Sequence, residues 1–407
     1  MNIIQTWFET NSPKPLMIKG PKGVGKTRLV TDFLTTNTEN KIYLNFELNP
    51  GLLELIHPNS VKHSIESIQS YFSIDSSLNS ILVFDECHLC EPLISKLITC
   101  SKDFSSQRFI FITSYPVTIT IHNDEVETLT LYPLDFEEFL QATNNHWYVS
   151  VISEHYKSSK PIPDIVHNDL LNIFYDYLLI GGMPGAINEY IALESVLNVS
   201  EIHYSIQNHQ LNSLRLHNSE GSYSKLESLY QTLDQQLAKK NKKIKYNMIR
   251  KGATKNQYLV ETQTLEDYGL ILSCLPLGEN PIGHKIYLYD TGILVSKSKM
   301  NVSYKELNAN VEQYKGFLEN YVAQSLVANG YPLFFWESDS QAKIDFIIQK
   351  KGSYIPIEIY SNEATKSKSI HIFNNTYETT YSIKLSPKNF SRRGNIQYVP
   401  LYAVFCI

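Results

Sequence analysis

The sequence predicts an α/β fold whose N-terminal part is a parallel sheet covered by helices, with a second sheet near the C-terminus. Three observations carry this. Residues 1–140 alternate short β-rich runs with helical stretches, as a parallel sheet with helical crossovers requires. The strand candidates there are nearly continuously apolar instead of alternating, as strands buried on both faces are. From about residue 305, one amphipathic helix precedes a series of strand-like runs.

Taken in order, the strand candidates are PLMIKG (15–20), KIYLNF (41–46), SILVFDE (80–86), RFIFITS (108–114) and VETLTL (126–131). Between them KTRLVTDFL (26–34), SIESIQSYF (64–72) and PLISKLITCSKDF (92–104) read as helices. Residues 135–215 read as mainly helical, with LLNIFYDYLLI (170–180) stopped by Gly181, Gly182 and Pro184. From 221 to 280, two or three helical segments are expected to carry a lysine cluster and to end in LEDYGLILSCLPLG, a helix followed by a β-wing. The last part reads as a helix over FLENYVAQSLVANG, strands over PLFFWES, KIDFIIQ and YIPIEIY, a further helix, then strands over YSIKLS and QYVPLYAVF.

At about 150 residues per domain, 407 residues predict two or three domains. Hydrophobic residues at 43% and charged residues at 19% exclude a disordered or fibrous chain. The net charge of -5 conceals an asymmetry. Residues 1–238 carry 14 Lys+Arg against 27 Asp+Glu, a balance of -13, and residues 239–407 carry 22 against 14, a balance of +8. Such a split suggests a polyanion such as nucleic acid as partner for one end only. Five cysteines, an odd number, argue against a disulfide framework. The start MNIIQTWFET lacks a basic then apolar leader, and no apolar stretch is long enough for a membrane span, so a cytoplasmic protein without membrane association is expected.

GPKGVGKT at 20–27 fits G-x-x-x-x-G-K-[ST] between a strand and a helix. Gly20, Pro21, Lys22, Gly23, Val24 and Gly25 form a loop whose amides, with the helix N-terminus at Lys26, Thr27 and Arg28, face phosphate oxygens. Lys26 is expected to neutralise the β- and γ-phosphates of ATP, and the Thr27 hydroxyl to coordinate Mg²⁺. ILVFDE (81–86) delivers the complementary carboxylates at a strand end: Asp85 to hold the metal and Glu86 to orient or deprotonate the attacking water. Thr113 and Ser114, closing the next strand, are candidates for contact with the γ-phosphate or the water. Cys87-His88-Leu89-Cys90 has the zinc spacing C-x-x-C but no second ligand pair, and reads as packing.

With these motifs stand LYPLDFEEFL (131–140), YLLIGGMPGAINEYI (177–191), YLYDTGIL (287–294), the stretch from GFLENYVAQSL through IDF to PIEIY (316–360), and IQYVPLYAVF near the end. In this order they resemble the prokaryotic, archaeal-type AAA+ ATPases of unknown physiological role. In that family a P-loop domain is followed by a winged-helix region and a PD-(D/E)xK nuclease-like domain. The resemblance implies an ATPase core at 1–145, a helical lid at 146–215, a winged-helix-like segment at 216–300 and an α/β, restriction-endonuclease-like domain at 301–407. It also implies DNA association. TSYPVTI (113–119) departs from the family's glycine- and serine-rich turn, which weakens Ser114 as a sensor.

By the same resemblance Glu319, Asp345 and Glu358 stand where three carboxylates would hold a nuclease-like Mg²⁺. Tyr360 occupies the place of the motif lysine. Lys343, Lys366 and Lys368 are candidate substitutes, and both a degenerate and an active nuclease remain open. Between Lys239 and Lys255 lie Lys239, Lys240, Lys242, Lys243, Lys245, Arg250, Lys251 and Lys255, with no acidic residue. Lysine-rich cations in a segment resembling a winged helix favour phosphate contact with DNA, with weak sequence preference. The expected activity is Mg²⁺-dependent ATP hydrolysis linked to DNA. The alternatives are an ATP-gated nuclease and a nucleotide-switched scaffold. None of the six arginines carries a recognisable finger motif, which leaves a homo-oligomer open.

Overall fold

Five strands build the N-terminal sheet: β1 Leu16–Lys19, β2 Lys41–Asn45, β3 Ser80–Asp85, β4 Gln107–Thr113 and β5 Glu127–Thr130. Their order is β2-β3-β4-β1-β5 and every pairing is parallel. The computed structural model describes the chain apart from residues 1, 11, 13, 38–39, 58, 76–78, 105, 118–124, 238–242, 279–282, 299–310, 339–341 and 361–367. Two compact units result, Met1–Tyr132 and Pro133–Ile407.

In the first unit the strand side chains divide by alternation into two cores. Leu82, Phe84, Phe109 and Phe111 pack with Leu93, Ile94 and Leu97 of the helix Glu91–Cys100. Ile81, Val83, Ile110 and Ile112 pack with Val30 and Phe33 of the helix Lys26–Asn37 and with Trp7. β3 is buried at all six positions, which is why its apolar run is unbroken. Because the strands are parallel, the segments that follow β1, β3 and β4 all emerge at one edge of the sheet, where α/β folds bind ligands.

The second unit holds a mixed eight-stranded sheet of order β12-β13-β11-β10-β9-β8-β6-β7. Its strands are β6 Ile271–Pro276, β7 Lys285–Leu288, β8 Leu333–Glu337, β9 Lys343–Lys350, β10 Ser353–Ile359, β11 Ser382–Ser386, β12 Ser391–Arg393 and β13 Ile396–Pro400. β6, expected as a β-wing, lies near the edge of this sheet, paired with β7 and running parallel to β8. One sheet therefore spans the expected boundary at residue 300. The final run, expected as a strand through 405, turns at Pro400 into a 3₁₀ segment Leu401–Cys406. Residues 243–255 are not helical as expected: they form a bridge at Lys243 and the 3₁₀ turns Tyr246–Met248 and Lys255–Gln257. The helix that follows, Leu259–Asp267, contains no lysine or arginine.

The motifs YLLIGGMP and YDTGIL meet around one buried carboxylate. Asp290 is fully buried and accepts hydrogen bonds from Gly182 N at 2.7 Å and Ile293 N at 2.9 Å. The approach is so close that a Cβ on Gly182 would lie 2.1 Å from Leu134 O, and one on Gly292 would lie 2.5 Å from Ile180 O. Glycine is required at both positions because the backbones touch. Leu134 N in turn donates to Gly182 O at 2.8 Å, and Asp135 and Glu138 complete a capping box on the helix Phe136–Ala142.

Candidate functional site

The loop after β1 wraps with Gly20, Gly23 and Gly25 all at positive φ, 151°, 91° and 98°. Only glycine fits at Gly20, where a Cβ would lie 2.3 Å from Leu131 O. Pro21 O accepts from Val24 N at 3.3 Å, and Val24 is buried beneath the loop. Lys22 is anchored outside the loop by Glu47 at 2.5 Å.

Lys26, 5% exposed, folds back over this loop and donates to Gly20 O at 2.8 Å and Pro21 O at 3.0 Å. Burial lowers its pKa to about 8, against the opposing attraction of Glu86 and Asp85. Thr27 Oγ1 donates to Asp85 Oδ2 at 2.7 Å. The same oxygen accepts from the Tyr43 hydroxyl and from Asn45 Nδ2, the latter at 3.2 Å, both on β2. Burial raises the Asp85 pKa, and the Tyr43 and Thr27 hydroxyls partly offset it. Thr27 and Asp85, predicted from separate motifs as metal ligands, are thus one hydrogen bond apart.

Glu86 takes the left-handed conformation, φ 52°, uncommon for a residue with a side chain. Its N–H donates to Asp85 Oδ1 at 2.9 Å. Its carboxylate accepts Ser114 Oγ at 2.7 Å and Ser114 N at 3.2 Å, and lies 3.4 Å from His88 Nδ1. Burial raises the Glu86 pKa, but His88, Ser114 and Lys26 together bring it below its ordinary value, favouring the anion. Ser114 therefore belongs to the site through Glu86. Thr113 instead bridges Tyr115, accepting from its N–H at 3.1 Å and donating to its carbonyl at 2.9 Å. His88, read from sequence as packing, is the site residue that was missed; its ring lies 4.0 Å from that of Tyr115. The D-E-x-H spacing was the available signal. Cys87 and Cys90 are buried core thiols with raised pKa values, burial the main cause. The Arg28 guanidinium does not turn to the loop but pairs with Asp32 at 2.7 Å on the exposed helix face.

In the second unit, Glu319 sits on the helix Val311–Ala328, Asp345 on β9 and Glu358 on β10. Lysines, not an arrangement of open oxygens, surround them. Lys315 Nζ lies 3.3 Å from Asp345 Oδ2 and 3.9 Å from Glu319 Oε1. Lys384, in register with Glu358 on β11, places Nζ 3.8 Å from its Oε2. Of the expected substitutes, Lys343 is drawn to Glu337 at 3.7 Å, Lys368 begins the helix Lys368–Thr376, and Lys366 lies outside the described residues. Among the described residues no group of three His, Cys, Asp or Glu is placed to hold a metal.

In the basic run Lys239, Lys240 and Lys242 lie outside the described residues. Lys243 pairs with Glu337 at 2.7 Å, and Lys245, Arg250, Lys251 and Lys255 are exposed. No helix among the described residues is long and apolar enough to cross a membrane.

This loop, lysine and carboxylate pair coincide with a family assignment. Residues 12–140 match the AAA domain. The N-terminal unit is a P-loop AAA-type domain, although the compact unit ends at Tyr132, before the matched range does. Residues 171–304 and 314–404 match two domains of unknown function, DUF8612 and DUF4143. No curated protein matches the chain. Among solved structures, a signal transduction ATPase with a tetratricopeptide repeat sensor from Pyrococcus horikoshii is similar at 15% identity and a TM-score of 0.31. That match covers 81% of this chain, which spans about half of the other, 47%. DnaA from Aquifex aeolicus bound to AMPPCP is similar at 12% identity and TM-score 0.29, covering 65% of this chain and 86% of that one. Pif1 helicase from Candida albicans is similar at 15% identity and TM-score 0.22, covering 42% and 46%.

The buried ammonium leads to a pH prediction for the AAA domain. Lys26 is charged below a pKa of about 8, and a bound polyphosphate would hold that charge. ATP affinity is therefore expected to be highest below about pH 8 and to fall by up to ~10-fold per unit above it, with proton uptake on binding. Calorimetry in buffers of different ionisation heat measures this, and an affinity flat from neutral pH to well above 8 contradicts it.

Proposed function

We propose that the N-terminal unit binds and hydrolyses ATP in a Mg²⁺-dependent manner, and that the protein is switched by, or acts on, DNA through the exposed cations of its second unit. The observation that carries the first part is the 2.7 Å hydrogen bond between Thr27 and Asp85, with Lys26 and Glu86 at the same sheet edge. The residues suit the metal: one hydroxyl and one carboxylate are hard oxygen donors, and Mg²⁺ commonly keeps waters and substrate phosphates as its other ligands. When bound, Mg²⁺ would draw charge from the β- and γ-phosphates.

The chain's own groups divide the remaining work. The amides of Gly20 to Gly25 receive phosphate oxygens, and Lys26 exchanges its two loop carbonyls for them. Ser114 and His88 hold the Glu86 carboxylate in one orientation. Glu86, kept anionic, accepts a proton from water as that water's oxygen bonds to the γ-phosphorus and the bond to the ADP oxygen breaks. Among the described residues, Arg28 and Arg108 are engaged within the unit, Arg28 by Asp32 and Arg108 by Phe8 O at 2.7 Å. The DNA part rests on the +8 balance of residues 239–407 and on exposed Lys245, Arg250, Lys251 and Lys255. These cations lie on turns, which suits phosphate contact better than base reading.

Two experiments test the proposal. Glu86→Gln is expected to retain ATP binding within a few-fold while hydrolysis falls by at least ~100-fold; hydrolysis at the unaltered rate would remove Glu86 from its role. In gel shifts, duplex DNA affinity is expected to fall steeply with salt, and neutralising Lys245, Arg250, Lys251 and Lys255 together is expected to flatten that slope by about 3 to 4. No binding at low salt overturns the DNA assignment.

A further inference from the structure

The C-terminal carboxylates form a row across the sheet. β9 and β10 are antiparallel with Ile357 opposite Phe346, so the next pair along is Glu358 and Asp345. Ile359 N donates to Asp345 Oδ2 at 2.8 Å, which ties the two strands together at this point. On the other side of β10, Lys384 stands opposite Glu358. Lys315, one helical turn before Glu319, bridges Glu319 and Asp345. All three carboxylates thus lie within 4.0 Å of an ammonium, and the five groups carry a net charge of -1 where the acids alone would carry -3.

Lys384 is 2% exposed, and a buried ammonium needs compensation from its surroundings. Glu358 is one part of that compensation. The other is Tyr360, whose ring centroid lies 5.1 Å from the Lys384 ammonium. The tyrosine found in place of the motif lysine therefore supports a lysine supplied by the neighbouring strand. Magnesium needs close, nearly octahedral oxygen ligands. A divalent ion set among these carboxylates would have to displace two ammoniums and the Ile359 amide, and would face two like charges at short range.

We infer that Lys315 and Lys384 neutralise the carboxylates Glu319, Asp345 and Glu358, so that this row is an internal ion-pair chain and not a divalent-metal hydrolytic centre. This stands apart from the ATPase reading and requires no nucleotide. The test uses the full chain without nucleotide, titrated with MnCl₂ and followed by the paramagnetic resonance of free Mn²⁺. Up to about 1 mM, the range of weak divalent sites, the unaltered protein and Asp345→Asn are expected to bind the same number of ions. One additional ion bound by the unaltered protein and lost in Asp345→Asn overturns the inference. A second arm does not depend on metal. Lys384→Met is expected to lower the melting temperature, and Lys384→Met combined with Glu358→Gln to recover most of the loss. A double variant no more stable than Lys384→Met shows that the pair is not coupled, and overturns it equally.

Discussion

The first unit depends on one buried carboxylate. Asp85 ends β3 at the core of the sheet, 1% exposed, where an uncompensated charge is costly. Its cost is met by four donors: Tyr43 and Asn45 from β2, Thr27 from the helix after the phosphate loop, and the amide of Glu86. Satisfying that one group therefore sets β2 beside β3, brings the helix Lys26–Asn37 to the strand ends, and turns Glu86 into its left-handed conformation. Glu86 then meets Ser114 from β4, so the outcome of the same constraint reaches a third strand. The polar site and the apolar core are in this sense one construction, since the helix that carries Lys26 and Thr27 also buries Val30 and Phe33.

The second unit repeats the principle with a different purpose. Asp290 is fully buried and holds backbone amides of two glycine-rich segments that approach within contact distance. The close backbone approach around it accounts for the strongly patterned motifs GGMP and YDTG as packing. Asp345 and Glu358 are polar for another reason: lysines from a helix and from the adjacent strand pair with them. These acids thus divide by what satisfies them. Hydroxyls, an amide side chain and a backbone amide surround the proposed magnesium ligand Asp85, His203 and backbone amides the packing residue Asp290, and lysines the C-terminal row.

Local pattern made the first sheet legible. Five apolar runs bounded by turn residues became five parallel strands within a residue or two, and GPKGVGKT and ILVFDE placed Lys26, Thr27, Asp85 and Glu86 because both motifs are contiguous and stand at strand ends. What was not legible depends on contacts between distant segments. Lys384 pairs with Glu358 through strand register, which spacing along the chain does not disclose. β6 reads as a wing because a strand after a helix has the same local pattern whether it forms a wing or joins the edge of a larger sheet. His88 reads as packing because C-x-x-C has no second ligand pair in the sequence, whereas the fold sets its Nδ1 3.4 Å from the Glu86 carboxylate. Arg28 was assigned to the nucleotide by its place in the motif, although Asp32 four residues on offers its side chain a nearer partner.

The central claim is that Lys26 supplies the charge on which nucleotide turnover depends. Steady-state release of phosphate from Mg-ATP by the unaltered protein and by Lys26→Ala, both checked for folding by circular dichroism, measures this most directly. The result expected is turnover in the unaltered protein and a loss of at least ~100-fold in Lys26→Ala, as removal of a preorganised charge at a phosphoryl group produces. Equal turnover by the two proteins contradicts it.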